Sequence, residues 1–235
     1  MDRRRSPLVP AQGRCRWLIG SLRDVPETDD WLTTAERVRL AQLHIAKRRA
    51  DWRLGRWVAK RAVGAALGCA PARIAVIATE SGAPLALRDG VPAPLALSLS
   101  HAAGRGLCAV APPEVGVGCD LEPLAPRSAA FVRDYFTPAE QHRIAGDDRL
   151  ATLFWCAKEA VLKALRDGLR RDPREAEVAL AASDRRLIVD CDGRRFDARW
   201  WVADGLVAVI ASLSDARAPG LGPCLRTPNV QTGGL

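Results

Sequence analysis

The sequence predicts an α+β protein with a pseudo-twofold arrangement of two similar halves. Segments with helical periodicity are followed by short segments in which apolar and polar residues alternate. The stretch Gly106–Ala111 (GLCAVA) resembles Gly205–Ile210 (GLVAVI), and each closes a block of helix followed by strands. The pair Pro112 and Pro113 marks a join between the blocks. We therefore expect three regions: an N-terminal half over 1–112, a C-terminal half over 113–217, and a flexible tail rich in Pro and Gly over 218–235.

The elements of the first half follow from capping and periodicity. Thr33–Glu36 (TTAE) has the form of a capping box and opens a helical segment. A long helix is expected over 46–67, with an apolar face and a basic face formed by Arg49, Arg53, Arg56 and Lys60. That basic face is either a solvated surface or a cationic wall that holds phosphate. Strands are expected at Ile74–Ala78, Pro84–Arg88, Leu95–Ser100 and Leu107–Ala111.

The second half begins with a strand and then has the same order of helices followed by strands. A strand is expected over 115–122, where apolar and other residues alternate. Thr137–Glu140 (TPAE) is a helix start with Thr as N-cap, Pro at the first helical position and an acid at the third. A second long helix is expected over 149–167. Further strands are expected at Val178–Ala182, Leu187–Cys191, Phe196–Val202 and Leu206–Leu213.

Two carboxylates lie on one face of the strand over 115–122. Gly116, Gly118, Asp120 and Glu122 alternate with the apolar residues of this strand and so share its second face. Because glycine has no side chain, a bulky ligand could approach the backbone beside the two acids. This face is therefore a candidate site for a metal or a phosphate.

The helix over 149–167 adds a third carboxylate between two lysines. Trp155, Glu159 and Lys163 are spaced four residues apart and share one helical face, and Lys158 precedes Glu159. Taken alone, Glu159 and Lys163 are equally consistent with an ordinary surface ion pair, and Trp155 with packing in the core. If this helix faces the acidic strand, three acids and two lysines suit a Mg²⁺-dependent reaction on a phosphate ester.

Composition narrows the class of protein. The chain has 235 residues, of which 48% are hydrophobic and 26% charged, as in globular proteins. No apolar run reaches the roughly 20 residues of a membrane span, so no membrane segment is expected. Seven cysteines form no Cys-x-x-Cys pair, which favours a reduced, cytoplasmic protein without structural zinc. The net charge of +8 indicates an acidic partner or ligand.

The two runs of charged residues together resemble a known family. Gly118–Glu122 (GCDLE) followed by Trp155–Lys163 (WCAKEAVLK) resembles the paired signature of the 4′-phosphopantetheinyl transferases. The length and the two halves resemble the longer, surfactin-synthetase-activating type. The resemblance implies an enzyme that moves the phosphopantetheine arm of coenzyme A onto a serine of an acyl or peptidyl carrier protein. It also implies a monomer whose active site lies between its halves.

Further segments extend the resemblance to a coenzyme A site. Ser98–His101 (SLSH) resembles the serine-histidine turn of the family, which implies that Ser100 and His101 contact the 3′-phosphate. The basic helix start with Lys47, Arg48 and Arg53 resembles the helix that binds the same phosphate. Gly82–Pro84 resembles the Gly-Lys-Pro turn of the family, so Gly82 and Pro84 are expected at the cofactor, but Ala83 replaces the lysine. Another arginine, such as Arg88, could compensate.

The resemblance also assigns roles at the reacting centre. Asp120, Glu122 and Glu159 would hold Mg²⁺, for which Mn²⁺ could substitute. Glu159 would take the proton of the carrier serine. Lys163 would stabilise or protonate the leaving phosphate, and Lys158 would contact phosphate oxygens. These roles could be exchanged, because a sequence contains no distances.

Three other functions stay open at this point. A different Mg²⁺-dependent phosphoryl or nucleotidyl transferase would need a nucleotide loop, and no Gly-x-x-x-x-Gly-Lys-Ser/Thr sequence is present. A nucleic-acid-binding module would use the basic helix face and would not need the acids, but no recognisable nucleic-acid motif supports it, so we expect no nucleic acid as partner. A relic that only binds carrier protein would not need the intact acids and lysines.

Overall fold

In the residues that the structure describes, the first half of the chain supplies six strands and two α-helices. The computed structural model describes residues 15–181 and 185–214. The helices are α1 (Thr34–Ala41) and α2 (Ala46–Leu67). The strands are β1 (Arg16–Ser21), β2 (Ile74–Ala78), β3 (Pro84–Arg88), β4 (Val91–Pro92), β5 (Ala96–Ala102) and β6 (Arg105–Ala111).

The second half supplies three helices and five strands in the described residues. The helices are α3 (Ala129–Tyr135), α4 (Pro138–Ile144) and α5 (Asp148–Ala164). The strands are β7 (Val117–Pro123), β8 (Glu177–Leu180), β9 (Arg186–Cys191), β10 (Arg194–Ala203) and β11 (Leu206–Leu213). No helix in the described ranges is both long and apolar enough to cross a membrane.

Antiparallel pairing organises the strands into three sheets. The first half forms a sheet in the order β1-β6-β5, and a small second sheet in the order β2-β3-β4. The second half forms one sheet in the order β7-β11-β10-β9-β8. In this sheet Asp120 of β7 lies opposite Val209 of β11. The resulting mixture of antiparallel sheets and helices confirms the predicted α+β class.

Each long helix covers the sheet of its own half. Apolar residues of α2 such as Leu54 and Val58 are buried against β1, β2 and β6. Phe154 and Val161 of α5 are buried against β7 and β11 in the same way. Burial of these apolar faces holds each helix on its sheet, since each fully buried large aliphatic or aromatic side chain contributes roughly 1.5–3 kcal/mol.

A third apolar cluster joins the two halves. It contains Leu107 and Ala109 from β6, Cys119 and Leu121 from β7, and Ile210 from β11, all buried. Around it, the rings of Trp17 and Trp201 stack with their centroids 4.6 Å apart, and Arg105 forms a salt bridge with Asp204. The halves are therefore packed against each other through an apolar seam rather than connected by a linker alone.

The same buried clamp occurs once in each half. In the first half, Glu36 caps α1 by accepting from the backbone N–H of Thr33 at 2.9 Å, and it also accepts from Lys60 Nζ of α2 at 2.7 Å. The second carboxylate oxygen of Glu36 accepts from the backbone N–H of Val76 in β2 at 3.0 Å. This clamp ties a short helix, a long helix and a strand together.

The second clamp repeats the first with other residues. Glu140 caps α4 by accepting from the Thr137 N–H at 2.8 Å, and it forms a salt bridge with Lys158 Nζ of α5 at 2.8 Å. Its second oxygen accepts from the N–H of Val178 in β8 at 2.8 Å. Both glutamates belong to the two capping boxes that the sequence predicts, and their repetition supports the pseudo-twofold arrangement.

Gly118 determines how closely α5 approaches β7. A methyl group added at Gly118 would lie 1.7 Å from the carbonyl oxygen of Ala160 in α5, which no side chain tolerates. At Gly116 the nearest atom is the carbonyl oxygen of Ala164, at an ordinary 3.5 Å. The expectation that a bulky ligand approaches these glycines is therefore wrong for Gly118, because the helix itself occupies that space, whereas Gly116 lines a cleft.

Most predicted elements are confirmed with small shifts of their ends. The structure has α2, β2, β3 and β11 at the predicted bounds. The predicted helix over 149–167 is α5, which begins after Asp147 as N-cap and ends at Ala164. The strands predicted at Val178–Ala182 and Phe196–Val202 correspond to β8 and β10. The predicted flexible tail over 218–235 lies outside the described residues.

Candidate active site

The acidic strand and the lysine-bearing helix face each other across the Gly118 contact. Asp120 lies on β7 and is only 3% exposed. Lys163 lies on the last turn of α5, and its ammonium group reaches Asp120 Oδ1 at 2.6 Å. The central expectation from the sequence, that the two charged segments face each other, is thus met by the geometry.

Asp120 is bonded through only one of its two oxygens. Its Oδ1 atom accepts from Lys163 Nζ and from the hydroxyl of Ser100 in β5, the latter at 2.8 Å. The Ser100 hydroxyl in turn accepts from the backbone N–H of Leu121 at 3.2 Å, which fixes its orientation. The Oδ2 atom is buried and has no hydrogen-bond partner among the described residues. A buried carboxylate oxygen without a partner is costly and suits a position that binds a ligand.

The charges of the site shift the pKa values of its members. Burial raises the pKa of Glu159, and the negative charges of Asp120 and Glu122 add to this while Lys163 opposes it. Burial lowers the pKa of Lys163, but the carboxylate of Asp120 outweighs it, so the pKa of Lys163 lies above its ordinary value. The three acids are therefore close enough to repel one another, and Lys163 remains protonated beside them.

Glu122 has a cationic partner that the sequence did not reveal. Arg127, in the loop after β7, donates to Glu122 Oε2 at 2.7 Å. The Arg127 guanidinium lies 4.9 Å from the ring centroid of Phe131, and its backbone N–H donates to Asp148 at 2.9 Å. These contacts hold the loop over the end of the acidic strand. A lone arginine in an irregular loop carries no sequence signal for such a role.

A divalent cation fits the donor set but is not held by a ready-made cage. No group of three or more His, Cys, Asp or Glu side chains within 15–181 and 185–214 has metal-binding geometry. The unpaired Oδ2 atom of Asp120 and the nearby carboxylates of Glu122 and Glu159 are nevertheless the oxygen donors that Mg²⁺ prefers. Mg²⁺ usually keeps several waters and takes few protein ligands, so a complete protein cage is not required.

A cleft of about 710 Å³ is lined in part by Lys163, the partner of Asp120. One wall is the turn with Gly82 and Pro84, and the floor is formed by β5 and the start of β7. The opposite wall is the end of α5 with Lys163 and the following turn with Arg166 and Arg170. The structure therefore brings the expected residues Gly82 and Pro84 to the same cavity as Lys163.

Neighbouring serines of β5 belong to the cleft and to the acidic site. Ser98 lines the cleft and accepts from the N–H of Cys119 at 3.0 Å, while Ser100 bonds Asp120. His101 follows on the same strand and is exposed. Ser100 is thus a member of the site, and His101 lies one residue beyond it.

Lys158 does not belong to this site. Its side chain is fully buried, and its ammonium group is bonded to Glu140 and to the carbonyl oxygens of Pro173 and Ala176, at 3.0 and 2.6 Å. An ammonium group has three donors, and these partners use all of them. The expectation that Lys158 contacts phosphate oxygens is therefore corrected, and the residue belongs to the second clamp.

The basic face of α2 is also absent from the cleft. Arg53 donates to Asp29 at 2.8 Å and to the carbonyl oxygens of Pro26, Glu27 and Thr28, so it fixes the loop before α1. Lys60 is the buried partner of Glu36. The expected cationic wall for phosphate is therefore wrong for these side chains, because the chain itself supplies their partners.

The start of α2 likewise lies apart from the cleft. Lys47 is exposed and pairs with Asp51 at 2.7 Å, and Arg48 is exposed. Neither residue lines the cleft, nor does Arg88 on β3, the suggested replacement for a lysine at Ala83. Trp155, in contrast, packs in the core against Phe131 and Tyr135, as its apolar character predicts.

Comparisons with known proteins place the site in context. Residues 116–211 match the family model of the 4′-phosphopantetheinyl transferase superfamily. A curated relative, the 4′-phosphopantetheinyl transferase HetI of Nostoc sp. (strain PCC 7120 / SAG 25.82 / UTEX 2576), is 29% identical over 160 residues, which cover 65% of this chain and 67% of that protein. The matched family segment contains Asp120, Glu122, Glu159 and Lys163. Both findings support the superfamily.

One solved structure is similar over a smaller part of the chain. It is the holo-[acyl-carrier-protein] synthase of Helicobacter pylori, solved in complex with coenzyme A. The alignment covers 42% of this chain and 98% of that one, with 17% identity and a TM-score of 0.34.

Proposed function

We propose that this protein transfers the 4′-phosphopantetheine arm of coenzyme A to a serine of an apo acyl or peptidyl carrier protein. The observation that carries the proposal is the arrangement at Asp120. One oxygen is fixed by Lys163 and Ser100, and the other is buried with no hydrogen-bond partner in the described part of the chain, near two further carboxylates. The segment 116–211, which matches the 4′-phosphopantetheinyl transferase superfamily model, contains these acids and Lys163.

The proposed metal site uses three carboxylates. Asp120 would offer its unpaired Oδ2 atom, and Glu122 and Glu159 would supply the remaining protein oxygens. When bound, Mg²⁺, or Mn²⁺ in its place, would neutralise the charge that develops on the pyrophosphate as the bond to the nucleotide breaks. Arg127 would have to share or release Glu122 for that carboxylate to bind a metal.

Different residues would assist different steps of the transfer. The carrier serine Oγ attacks the phosphorus that bears the pantetheine arm, and a new O–P bond forms. The bond between this phosphorus and the bridging oxygen breaks, and its electron pair leaves with 3′,5′-ADP. Glu159 accepts the serine proton, for which a carboxylate of raised pKa is suited. Lys163, protonated and fixed by Asp120, stabilises the leaving phosphate.

The cleft beside Lys163 is the proposed site for coenzyme A. Its volume of about 710 Å³ lies within the range of ligand pockets, roughly 300–1,000 Å³. Gly82 and Pro84 form one wall, and Ser98 and Leu99, which precede Ser100 and His101 on β5, also line the cleft. Lys163 lines the same cleft and pairs with Asp120, so a pyrophosphate beside Lys163 would lie next to the reacting centre.

The finer assignments are part of the same proposal. We infer the longer, surfactin-synthetase-activating type, with halves over 1–112 and 113–217, because the two clamps repeat within one chain. A monomer follows from this duplication, since the second half packs on the first through an internal seam. A reduced, cytoplasmic setting is supported by six free cysteines in the described residues. The acidic surface of a carrier protein would suit a chain of net charge +8.

One incubation tests the proposed transfer. The full chain is mixed with coenzyme A, Mg²⁺ and an apo carrier protein, and the carrier is examined by intact mass spectrometry. We expect the mass of one phosphopantetheine arm to be added, and we expect the addition to stop in the presence of a chelator and to resume when Mg²⁺ is restored. A carrier variant with alanine in place of the acceptor serine is the control. An unmodified carrier across acyl and peptidyl types would contradict the proposal.

A further inference from the structure

The end of α5 and the turn after it form a wall of the cleft with three cationic side chains, of which Lys163 belongs to the reacting centre. Lys163, Arg166, Asp167 and Arg170 all line the cleft. Lys163 is neutralised by Asp120. The Asp167 carboxylate accepts from Arg171 Nε at 2.8 Å, so it does not offset the remaining two arginines. The wall is therefore positive towards the cavity.

Arg166 is the member of this wall whose side chain has no partner among the described residues. Its side chain is exposed and has no hydrogen-bond or salt-bridge partner among the residues that the structure describes. Its backbone carbonyl, in contrast, accepts from Arg170, whose guanidinium also donates to the carbonyl of Asp167, both at 3.1 Å. Arg170 thus fixes the turn, and Arg166 presents its side chain from that turn.

The backbone of Arg166 is in a conformation that arginine rarely adopts. Its φ angle is 62°, in the left-handed region, where a side chain costs free energy that glycine avoids. Gly168, two residues later, has a φ angle of 55° and avoids that cost. A strained residue on the wall of a cleft is a reason to look for a function of its side chain.

The facing wall of the cleft offers no charge of its own. It consists of Ser81, Gly82, Ala83 and Pro84, which are small, and the floor includes the apolar residues Leu97 and Val117. A ligand that fits this cavity would present an apolar or aromatic part to the floor and its anionic part to the α5 wall. A nucleotide with a phosphate has both parts.

We propose that Arg166 binds a phosphate of the nucleotide end of coenzyme A, and that Arg170 positions it by holding the turn. This inference rests on the proposed function, because it assumes that the cleft receives coenzyme A. Ala83 on the opposite wall has no charged group. In this proposal the cationic contact to the nucleotide therefore comes from the α5 wall. The planar guanidinium of Arg166 suits a phosphate through two parallel hydrogen bonds.

The test compares two arginines in the same strained conformation. Arg185 is exposed, has a φ angle of 60°, and does not line the cleft. The variants Arg166→Gly and Arg185→Gly therefore remove the same charge and relieve the same backbone strain, at different places. Binding is measured by isothermal titration calorimetry with coenzyme A, 3′-dephospho-coenzyme A, 3′,5′-ADP and 4′-phosphopantetheine, and transfer is measured with an apo carrier.

The expected result is selective. Arg166→Gly should bind coenzyme A and 3′,5′-ADP about 10- to 100-fold more weakly, the range typical of a lost hydrogen bond to a charged group. Binding of 4′-phosphopantetheine, which lacks the nucleotide, should be unchanged, and Arg185→Gly should behave as the native chain. If Arg166→Gly and the native chain bind 3′-dephospho-coenzyme A equally well, the 3′-phosphate is the partner of Arg166. If the variant still binds it more weakly, the partner is the pyrophosphate group attached to the nucleotide.

Two outcomes would overturn the inference. Unchanged binding of coenzyme A by Arg166→Gly would remove Arg166 from the site. Equal losses of affinity in Arg166→Gly and Arg185→Gly would show that the effect comes from the net charge of the protein and not from a contact of Arg166. Both can be told apart from failure of the proposed function, in which the native chain itself neither binds coenzyme A nor modifies a carrier. An unchanged or higher melting temperature of Arg166→Gly would show that its weaker binding does not arise from unfolding.

Discussion

Lys158 and Glu140 form a salt bridge of 2.8 Å in which neither side chain is exposed to solvent by more than 1%. Lys158 stands directly before Glu159 in the sequence, yet it points away from the acids and into the core of the second half. The first half contains the same pair as Glu36 and Lys60, at 2.7 Å. Within the charged helix, one lysine therefore maintains the fold, and Lys163 serves the site.

Substitutions of the two lysines of α5 should differ in their effects on stability and on transfer activity. We expect Lys158→Met to lower the free energy of unfolding by about 3–5 kcal/mol, because it leaves the charge of Glu140 buried without its partner. Lys163→Met leaves the buried carboxylate of Asp120 without its cation, so it should also lower stability, but unlike Lys158→Met it should abolish transfer by the folded protein. Urea denaturation and the carrier assay, run where both variants are folded, measure the two effects. Loss of transfer in folded Lys158→Met as complete as in Lys163→Met would contradict this division.

A methyl group should be tolerated at Gly116 but not at Gly118, where α5 packs closely on β7. Gly118→Ala places its new carbon 1.7 Å from the Ala160 carbonyl, so we expect a loss of about 3 kcal/mol or more, at the upper end for overpacked cores. Gly116→Ala meets ordinary contacts and should change stability by less than about 0.5 kcal/mol. Thermal unfolding of both variants is the measurement. Equal melting temperatures would show that the helix can move away from the strand.

Asp120 should carry the response to metal. Mg²⁺ at about 100 times its dissociation constant should stabilise the native chain by about 2.7 kcal/mol, seen as a higher melting temperature. Asp120→Asn removes the charge beside Lys163 and should lose most of this shift together with transfer activity. Asp190→Asn, on the exposed pair with Arg195, is the matched control. A full Mg²⁺ shift in Asp120→Asn would exclude Asp120 as a ligand.

Buried thiols should make the protein less stable in alkali. Burial raises the pKa of Cys15 to about 12 and that of Cys119 to about 11, from an ordinary value of 9.0. Above pH 9 the unfolded chain releases these protons while the folded chain keeps them, so the free energy of unfolding should fall as pH rises. Urea midpoints across this range measure the fall. Cys119→Ser should show a shallower decline, and a slope equal to that of the native chain would contradict the assignment.

The sequence predicted most of the elements because their patterns are strong. The long helix α2 and the strand β11 have clear periodicity and clear ends, and both occur at the predicted bounds. The strand β1 was missed because Trp17, Leu18 and Ile19 are successive apolar residues, which reflects packing on both faces. A strand that is covered on both sides does not alternate, so period two gives no signal there.

The site was predicted in part for a similar reason. Asp120, Glu159 and Lys163 meet because a strand face and a helix face are each defined by local spacing. Lys158 was assigned to the same site only through its place in a motif, although adjacent helical residues point in different directions. Arg53 was misplaced because a periodic basic face does not reveal that Asp29 and the loop carbonyls lie against it. Partners that are distant in sequence were the missing information in both cases.

The repeated clamp allows the two halves to be compared residue by residue. If Lys60 is aligned with Lys158, and Gly20 with Gly118, the same separation places Leu22 opposite Asp120, and Arg61 and Ala65 opposite Glu159 and Lys163. The clamp is therefore repeated in both halves, whereas the charged residues of the site are not. In the described residues, the three acids and Lys163 of the proposed reacting centre all lie on the frame of the second half, while the first half supplies Ser100 and the turn with Gly82 and Pro84.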